Sequence, residues 1–279
     1  MNVYIINLDS AKERWSYVVN SFAGTPFTIC RVSAVDGYAL QLPIPEYSET
    51  RYRWFHGRPT APGHVGCYLS HIKAMTAFLA TENDYALIAE DDLSLSADFE
   101  DVLSAAMLHS RQWNILRLTG LGKGRPARVA TLLGDTALCI GFARLKGTGA
   151  YVIDRLAARV LSTGLLPMRL PIDHAMDREW FFGLRAAYVL PFPASQLDAG
   201  FRSSIQRGQS LKLSFLRRCL ATYPYQAANE LSRWVFRLFH YLTFKWFSRD
   251  ARLSSIPLGE ARRSRELNPC GFECVKAGH

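Results

Sequence analysis

The chain has 279 residues, with a hydrophobic fraction of 49% and a charged fraction of 20%, which excludes a low-complexity or disordered protein. Its formal net charge of +9 is concentrated at one end. Residues 1–200 contain 19 basic and 19 acidic side chains, whereas residues 201–279 contain 14 basic and 5 acidic ones. A basic, separable end predicts an anionic partner such as a membrane surface, a nucleic acid or an acidic polymer.

The N-terminus has no basic stretch ahead of a long apolar segment, so no secretory signal is expected. No uncharged apolar run reaches the length of about 18 residues that a spanning helix requires. The six cysteines are scattered along the chain, and this favours free thiols in a reducing compartment over a disulfide framework.

The first part of the chain alternates between apolar runs typical of buried strands and segments typical of helices. Strands are predicted over 3–8, 27–33, 85–89 and 114–118, and helices over about 10–22, 65–80 and 98–109. The proline-containing stretch 38–62 is predicted to be an irregular loop, functional or mobile. The alternation predicts an α/β fold with a mostly parallel sheet flanked by helices.

The middle of the chain changes character. A hairpin is predicted over 129–143, and a strand over 147–153 is followed by a helix from Asp154. Residues 171–182 are predicted to form a helix or turn, and 186–190 a last strand.

The stretch YALIAEDDLSL, residues 85–95, places Glu90, Asp91 and Asp92 directly after a predicted buried strand. In open α/β sheets, ligands bind beyond the carboxyl ends of the strands. Adjacent carboxylates repel one another, and Mg²⁺ or Mn²⁺ would relieve that repulsion while gripping a nucleotide diphosphate. Solvated loop charges, or the acidic first turn of a helix, are the simpler alternative. A receiver domain or an aspartate-nucleophile phosphohydrolase fits the order of the acids less well.

Seven stretches, taken together and in order, resemble glycosyltransferase family 25, the family of lipooligosaccharide galactosyltransferases and collagen galactosyltransferases. The resemblance covers roughly residues 1–205, with departures from the family pattern at His64 and Ala89. The stretches are VYIINLDSAKERW (3–15), VSAVDG (32–37), GHVGCYLSHIKAM (63–75), YALIAEDDL (85–93), GTGAYVID (147–154), LPIDHAMDREW (170–180) and FPASQ followed by SSI (192–205).

The resemblance implies a GT-A-like catalytic domain over residues 1–205. It further implies inverting, metal-dependent transfer of a hexose, with galactose the first expectation, from a UDP-sugar to a saccharide acceptor such as the core of lipooligosaccharide or lipopolysaccharide. The cation, Mn²⁺ or Mg²⁺, would neutralise the departing diphosphate.

The same resemblance implies roles for individual residues. Asp92 is expected to bind the metal directly, with Glu90 and His174 as further metal ligands. Asp173 is the first choice for the general base that an inverting transfer needs, followed by Asp177 and Glu179. Ser203 or Ser204 is expected to contact substrate. Donor contacts are expected at Asn7, Leu8, Arg14, Asp36, Gly37, Gly63, Ser70, His71, Lys73, Glu90, Asp91 and Gln196.

Several of these residues have simpler explanations that the sequence leaves open. Arg14 and Lys73 could be surface charges, Asp36 a turn former and His71 a core histidine. Gly63 and Gly66, near a helix N-terminus, could let the backbone approach a phosphate, which alone is weak support.

Residues 206–279 are predicted to form a basic, helical C-terminal region. Within 211–249, the polar residues Arg233, Arg237 and His240 recur at three-to-five spacing among aromatic and aliphatic residues. This pattern predicts a cationic amphipathic helix at an anionic membrane surface. Packing on the core or in a homodimer is the alternative, and no motif indicates a nucleic acid.

Two functional hypotheses follow. The first is a membrane-peripheral, UDP-hexose-dependent transferase on the inner face of a bacterial inner membrane. The second is a non-catalytic, membrane-associated module that binds a nucleotide-sugar or a saccharide.

Overall fold

Three neighbouring parallel strands set the position of the predicted site. In the computed structural model, which describes residues 1–122, 125–196, 214–250 and 274–276, β1 (Asn2–Asn7) lies between β2 (Thr28–Ser33) and β3 (Tyr85–Glu90). Because all three run in the same direction, their carboxyl ends meet at one edge of the sheet. The apolar run of β1 is buried on both faces, as expected of a strand covered by helices.

The other strands and the helices follow in chain order. The strands are β4 Leu93–Leu95, β5 Ile115–Arg117, β6 Pro126–Thr131, β7 Ala137–Gly141, β8 Ala150–Asp154, β9 Ala186–Leu190, β10 Ala194–Gln196 and β11 Cys274–Lys276. The helices are α1 Lys12–Ser21, α2 Glu49–His56, α3 Pro62–Leu79, α4 Phe99–Met107, α5 Arg155–Gly164, α6 Ile172–Met176, α7 Phe215–Arg217 and α8 Tyr223–Asp250. Short 3₁₀ turns occur at Ser110–Gln112 and Glu179–Phe182, and a π turn at Arg218–Thr222.

The main sheet is mixed. Its strand order is β11-β2-β1-β3-β8-β5-β9-β7-β6. Of these described strands, six run in one direction, while β7, β8 and β11 run in the other. A separate ribbon pairs β4 with β10 and places Gln196 opposite Leu93, beside the acids. The fold is therefore α/β, as predicted.

Helices cover both faces of this sheet. Alternate residues of β1 point into two hydrophobic clusters: Tyr4 and Ile6 pack with residues of α3 and α5, whereas Val3 and Ile5 pack with residues of α1 and α4. The α5 helix begins where expected, because the Asp154 side chain accepts a hydrogen bond of 2.7 Å from the backbone nitrogen of Ala157.

The stretch predicted to be an irregular loop contains α2. This helix lies between the prolines rather than through them, and ends at Gly57, whose φ of 79° is the left-handed conformation that glycine adopts readily. The loop prediction, which rested on the prolines, therefore missed a helix of eight residues.

The C-terminal helix α8 packs in the orientation opposite to the predicted one. Arg233, Arg237 and His240 were expected on the polar outer side, yet they are 1%, 5% and 5% exposed. They face the domain because buried acids there provide partners for the two guanidinium groups. The prediction of an outward cationic face is wrong for these three residues.

A buried ion-pair network holds α8 in place. Arg237 donates to Glu179 through Nε and Nη2, both at 2.9 Å, and to Asp177 Oδ1 through Nη2 at 2.9 Å. Arg233 Nη2 lies 2.9 Å from Asp177 Oδ2, and both guanidinium groups lie over the Trp180 ring. These arginines hold the pKa of Asp177 below its ordinary value against the effect of its burial.

The outward side of α8 is apolar. Phe239 and Trp246 are 68% and 69% exposed, and the remaining large apolar residues of this surface are Leu231, Trp234, Val235, Phe236, Leu238, Leu242 and Phe247. We call these nine residues the outer apolar face.

The structure also bears on the predictions about cysteines, membrane-spanning helices and the domain boundary. Cys30 is disulfide-bonded, so the expectation of free thiols throughout is wrong for this residue, although Cys67, Cys139 and Cys219 are free. Within the described ranges, no helix combines the length and apolar character needed to cross a membrane. The predicted boundary near residue 205, with Ser203 and Ser204, lies outside the described residues.

Replacing Arg237 by alanine should lower the free energy of unfolding by about 3–5 kcal/mol, because Glu179 would remain buried without this partner. Denaturant titration measures the loss. The matched control is Arg159→Ala, an exposed arginine of α5, which should change the free energy by less than about 0.5 kcal/mol. Equal effects of the two substitutions would contradict the structural role given to Arg237.

Candidate functional site

The middle acid of the triplet anchors the loop after β3. Asp91 Oδ2 accepts a hydrogen bond of 2.7 Å from Asn7 Nδ2, and Asp91 Oδ1 forms an ion pair with Arg14. Arg31 holds the other side of the Asn7 amide, with Nη2 2.7 Å from Oδ1. Asn7 and Asp91 are 1% and 6% exposed and fix the sheet edge through these bonds, and their donor contacts stay predictions.

The flanking acids, Glu90 and Asp92, face a common space. Gln196 Nε2 lies 3.2 Å from Glu90 Oε2 and 3.4 Å from Asp92 Oδ1, so one amide bridges the pair. Thr148 Oγ1 lies 3.3 Å from Glu90 Oε1. A Cβ at Gly149 would lie 2.9 Å from Cγ and Cδ of Gln196, so a larger residue there would push the bridging amide away.

The acid pair is incompletely neutralised. Burial, and then the charge of Glu90, raise the pKa of Asp92 from 3.8 to about 6, although Arg14 Nη2 lies 3.4 Å from its Oδ2 and opposes the shift. Two half-buried carboxylates with unrelieved repulsion offer hard oxygen donors. These residues fit Mg²⁺ or Mn²⁺ by donor chemistry.

Asp173 lies beside this pair. Its Oδ2 accepts a hydrogen bond of 3.3 Å from Gly147 N, one residue before the threonine that contacts Glu90. Arg117 connects the two segments, donating to Gly147 O at 2.9 Å and to Asp173 O at 3.4 Å. Burial, together with the charges of Glu90, Asp173 and Asp92, raises the pKa of the Cys67 thiol. The three acids therefore act on the same region.

Two of the other predicted catalytic residues are held in internal ion pairs. Asp177 and Glu179 are 1% and 2% exposed and are held by Arg233 and Arg237, so neither is available as a base. The ring of His174 lies 5.4 Å from that of His56. Among the described residues, the side-chain group that could hold a metal contains neither His174 nor Asp92, so His174 as a metal ligand stays a prediction.

Two predicted donor contacts on α3 have structural roles. Ser70 Oγ donates to Gly66 O at 2.7 Å and accepts from Val35 N at 2.8 Å, which fastens α3 to the chain after β2. Lys73 Nζ donates to Ser33 O at 2.8 Å. The Ser70 bonds are buried, whereas Lys73 is exposed and its contact with a ligand stays a prediction.

The VDG stretch is a turn packed against α3. Asp36 Oδ1 accepts a hydrogen bond of 2.9 Å from Tyr38 N, as expected of a turn former. A Cβ at Gly37 would lie 1.9 Å from Pro62 O, and one at Gly66 would lie 2.4 Å from Val35 O. These glycines allow close packing of the turn and the helix rather than approach to a phosphate.

The remaining predicted contacts are near the edge without a demonstrated ligand role. Gly63 is half-buried in the first turn of α3, and Leu8 is half-buried after β1. His71 is fully buried, with Nδ1 3.0 Å from the Tyr151 hydroxyl, while Arg14 pairs with the acids themselves.

Sequence reasoning missed Arg117, Thr148, Gly149 and Tyr151. Arg117 carried a signal, since a charged residue in the apolar run NILRL is unusual, and burial at 4% exposure requires partners. The contacts of Thr148 and Tyr151 depend on the antiparallel pairing of β8 with β3, which local sequence does not reveal.

Replacing Asp92 by asparagine should stabilise the EDTA-treated protein at pH 7.5 by on the order of 1–3 kcal/mol, measured by denaturant titration. Because the folded-state pKa is raised from 3.8 to about 6, ionised Asp92 opposes folding above that range. Near pH 3, below both pKa values, both states are largely protonated, and the gain should vanish. Asp135→Asn, at an exposed hairpin position, is the control, and an unchanged or less stable Asp92→Asn protein at pH 7.5 would refute the assignment.

The sequence of this chain is similar to proteins of one family. The sequence profile described as "Glycosyltransferase family 25 (LPS biosynthesis protein)" matches residues 1–176, well over half of the chain. Procollagen galactosyltransferase 1 of Danio rerio is 28% identical over 211 residues, covering 71% of this chain and 34% of the relative.

Two other relatives are more distant or shorter in match. A "Glycosyltransferase 25 family member" of Aedes aegypti is 25% identical over 127 residues, covering 41% of this chain and 20% of the relative. "Probable inactive glycosyltransferase 25 family member 3" of Rattus norvegicus is 25% identical over 186 residues, covering 61% and 31%. The chain spans about a third or less of the length of these curated relatives.

Proposed function

Because the chain belongs to glycosyltransferase family 25, we propose that it is a metal-dependent inverting transferase that moves a hexose from a UDP-sugar to a saccharide acceptor. A GT-A-like arrangement of the nucleotide-binding sheet is part of this proposal. Galactose is the proposed sugar, since relatives are named procollagen galactosyltransferases. A lipopolysaccharide-type acceptor is proposed from the description of the matching family.

The observation that carries the proposal is the separation of the acids into two sets. Asp91, Asp177 and Glu179 are consumed by internal ion pairs, whereas the repulsion between Glu90 and Asp92 is only partly offset by Arg14, 3.4 Å from Asp92, and Asp173 acts on the same region. A site with a crowded acid pair and a third acid nearby suits a cationic cofactor and a proton acceptor.

Glu90 and Asp92 would hold the divalent cation, which supplies a Lewis acid for the diphosphate leaving group. Gln196 orients both carboxylates through its amide, and Thr148 fixes the second oxygen of Glu90. Arg14 compensates only part of the negative charge of Asp92, so a bound cation would find an attractive potential at this site.

Asp173 would accept the proton of the acceptor hydroxyl. It is half-buried at the start of α6, and its two carboxylate oxygens are oriented by the backbone nitrogens of Gly147 and His174. Arg117 fixes the Gly147 segment relative to Asp173, so the base would be held without being neutralised by a direct side-chain ion pair.

A binding module without catalysis is the second candidate. The rat relative that carries the words "probable inactive" shows that the family name alone does not guarantee transfer. Under this alternative the acid cluster would bind a metal and UDP, and no product or donor hydrolysis would be detected with any acceptor.

Transfer should fall at least 100-fold in Asp92→Ala, and by about 10²–10⁴-fold in Asp173→Asn, the range that a general base contributes. Mass spectrometry of products from a UDP-sugar panel with Mn²⁺ and a lipid A-core acceptor measures both. Asp135→Asn, in an exposed turn remote from the acids, should retain activity. Transfer at the wild-type rate by Asp92→Ala would refute the proposed metal site. Transfer at the wild-type rate by Asp173→Asn would show that another residue is the general base.

Attachment to a membrane through the outer apolar face is also proposed. Nine large apolar side chains of α8 are exposed, and aromatic residues of this kind favour the headgroup level of a bilayer. The proposed location is the inner face of a bacterial inner membrane, where a lipid-linked acceptor would be met. Because Arg233 and Arg237 are paired internally, apolar contact rather than their charge would dominate the attachment.

Sedimentation with vesicles of phosphatidylglycerol and phosphatidylcholine should show binding by the wild-type protein. Phe239→Glu combined with Trp246→Glu should weaken it by on the order of 100-fold, because two large apolar side chains no longer enter the interface. Leu156→Glu, at an exposed leucine of α5, is the matched control and should bind normally. The opposite outcome is a wild-type protein that does not bind vesicles but forms a dimer in sedimentation velocity. If only the double variant dissociates this dimer, the outer apolar face binds a second copy of the chain rather than lipid.

A further inference from the structure

A second group of metal-ligating side chains lies on the inner side of Glu90. Cys67 and His71 project from α3, and Glu90 ends β3. One ligand atom from each lies within 4.8 Å of the others, which no other set of three such residues achieves in the described part of the chain. The spacing of four residues places Cys67 and His71 on the same side of the helix, as in helical metal sites.

His71 is oriented as a metal ligand would be. It is fully buried, its Nδ1 lies 3.0 Å from the Tyr151 hydroxyl, and its Nε2 lies 3.5 Å from Glu90 Oε1. No described residue forms a hydrogen bond with Nε2. In the tautomer whose Nδ1–H donates to Tyr151, Nε2 presents a lone pair toward Glu90, and such an outer partner is typical of metal-bound histidine.

The surroundings of Cys67 favour a cation. The acidic side chains of Glu90, Asp92 and Asp173 act on this thiol. Glu90 is itself oriented by Thr148 and Gln196. The group therefore has a sulfur, a nitrogen and an oxygen donor in a negative environment.

We propose that Cys67, His71 and Glu90 bind a divalent ion of the zinc class. Sulfur and imidazole ligands select zinc-like ions, whereas Mg²⁺ and Mn²⁺ prefer oxygen ligands alone. Ligand atoms of one tetrahedral zinc lie about 3–4 Å apart, so small side-chain rotations close the group. On binding, the Cys67 thiol releases its proton to solvent as the metal–sulfur bond forms, and solvent completes the coordination.

The shared residue gives this site a regulatory consequence, which rests on the proposed function. Glu90 also belongs to the acid pair that would hold Mg²⁺ or Mn²⁺. An ion bound to Cys67 and His71 would also bind the Glu90 carboxylate. Zinc-class ions would therefore compete with the catalytic cation for Glu90 and inhibit transfer.

Titration of the whole chain with CoCl₂ tests the site without any substrate. A thiolate-to-cobalt charge-transfer band should appear at one equivalent, and it should disappear in Cys67→Ser and weaken at least tenfold in apparent affinity in Glu90→Gln. Cys139→Ser and Cys219→Ser, which replace the other free thiols of the described residues, should keep the band. Absence of the band in wild type, or its persistence in Cys67→Ser, would overturn the proposal.

A second measurement keeps the test decisive if Cys67→Ser does not fold. In the wild-type protein, ZnCl₂ should slow alkylation of the Cys67 peptide at least tenfold, as followed by mass spectrometry, and leave the half-buried Cys219 peptide unaffected. Equal alkylation of Cys67 with and without zinc would overturn the site, and it would do so whether or not the protein transfers sugar.

Discussion

The placement of the active segment depends on four buried charges. Arg233 and Arg237 of α8 face Asp177 and Glu179, and removing these groups from water is favourable only because their polar atoms meet one another. The acids follow α6 directly, so the same contacts fix the segment that begins with Asp173. The helix that composition marked as a separable basic end is therefore part of the support of the candidate base.

The three acids that follow β3 have different contacts at the sheet edge. Alternation along the chain turns Asp91 inward to Asn7 and Arg14, while Glu90 and Asp92 face Gln196. The inward acid stabilises the loop, and the two outward acids retain the repulsion that a cation would relieve. The proposed metal site would therefore lower the stability of the empty protein, as is common where like charges are gathered for a ligand.

Local sequence predicted much of the fold, because β1, β2, β3, α3 and α5 carry their own periodicity and end signals. It could not predict which side of α8 faces inward: the pattern of Arg233 and Arg237 is that of a solvent-exposed stripe, and only the tertiary position of Asp177 reverses it. In the candidate site, the triplet was predicted from its place after a strand, and Asp173 from the family resemblance. The contacts of Arg117 and Tyr151 could not be predicted, because they depend on the antiparallel pairing of β8 with its neighbours.

The reversed orientation of α8 has a consequence for how this protein can diversify. Residues that hold the helix to the domain and residues of the outer apolar face occupy opposite sides of one element. Substitutions at Phe239 or Trp246 can therefore accumulate with little loss of folding stability, whereas changes at Arg237 cannot. The sequence of the outer apolar face can therefore change independently of the arginine contacts that hold α8 to the domain.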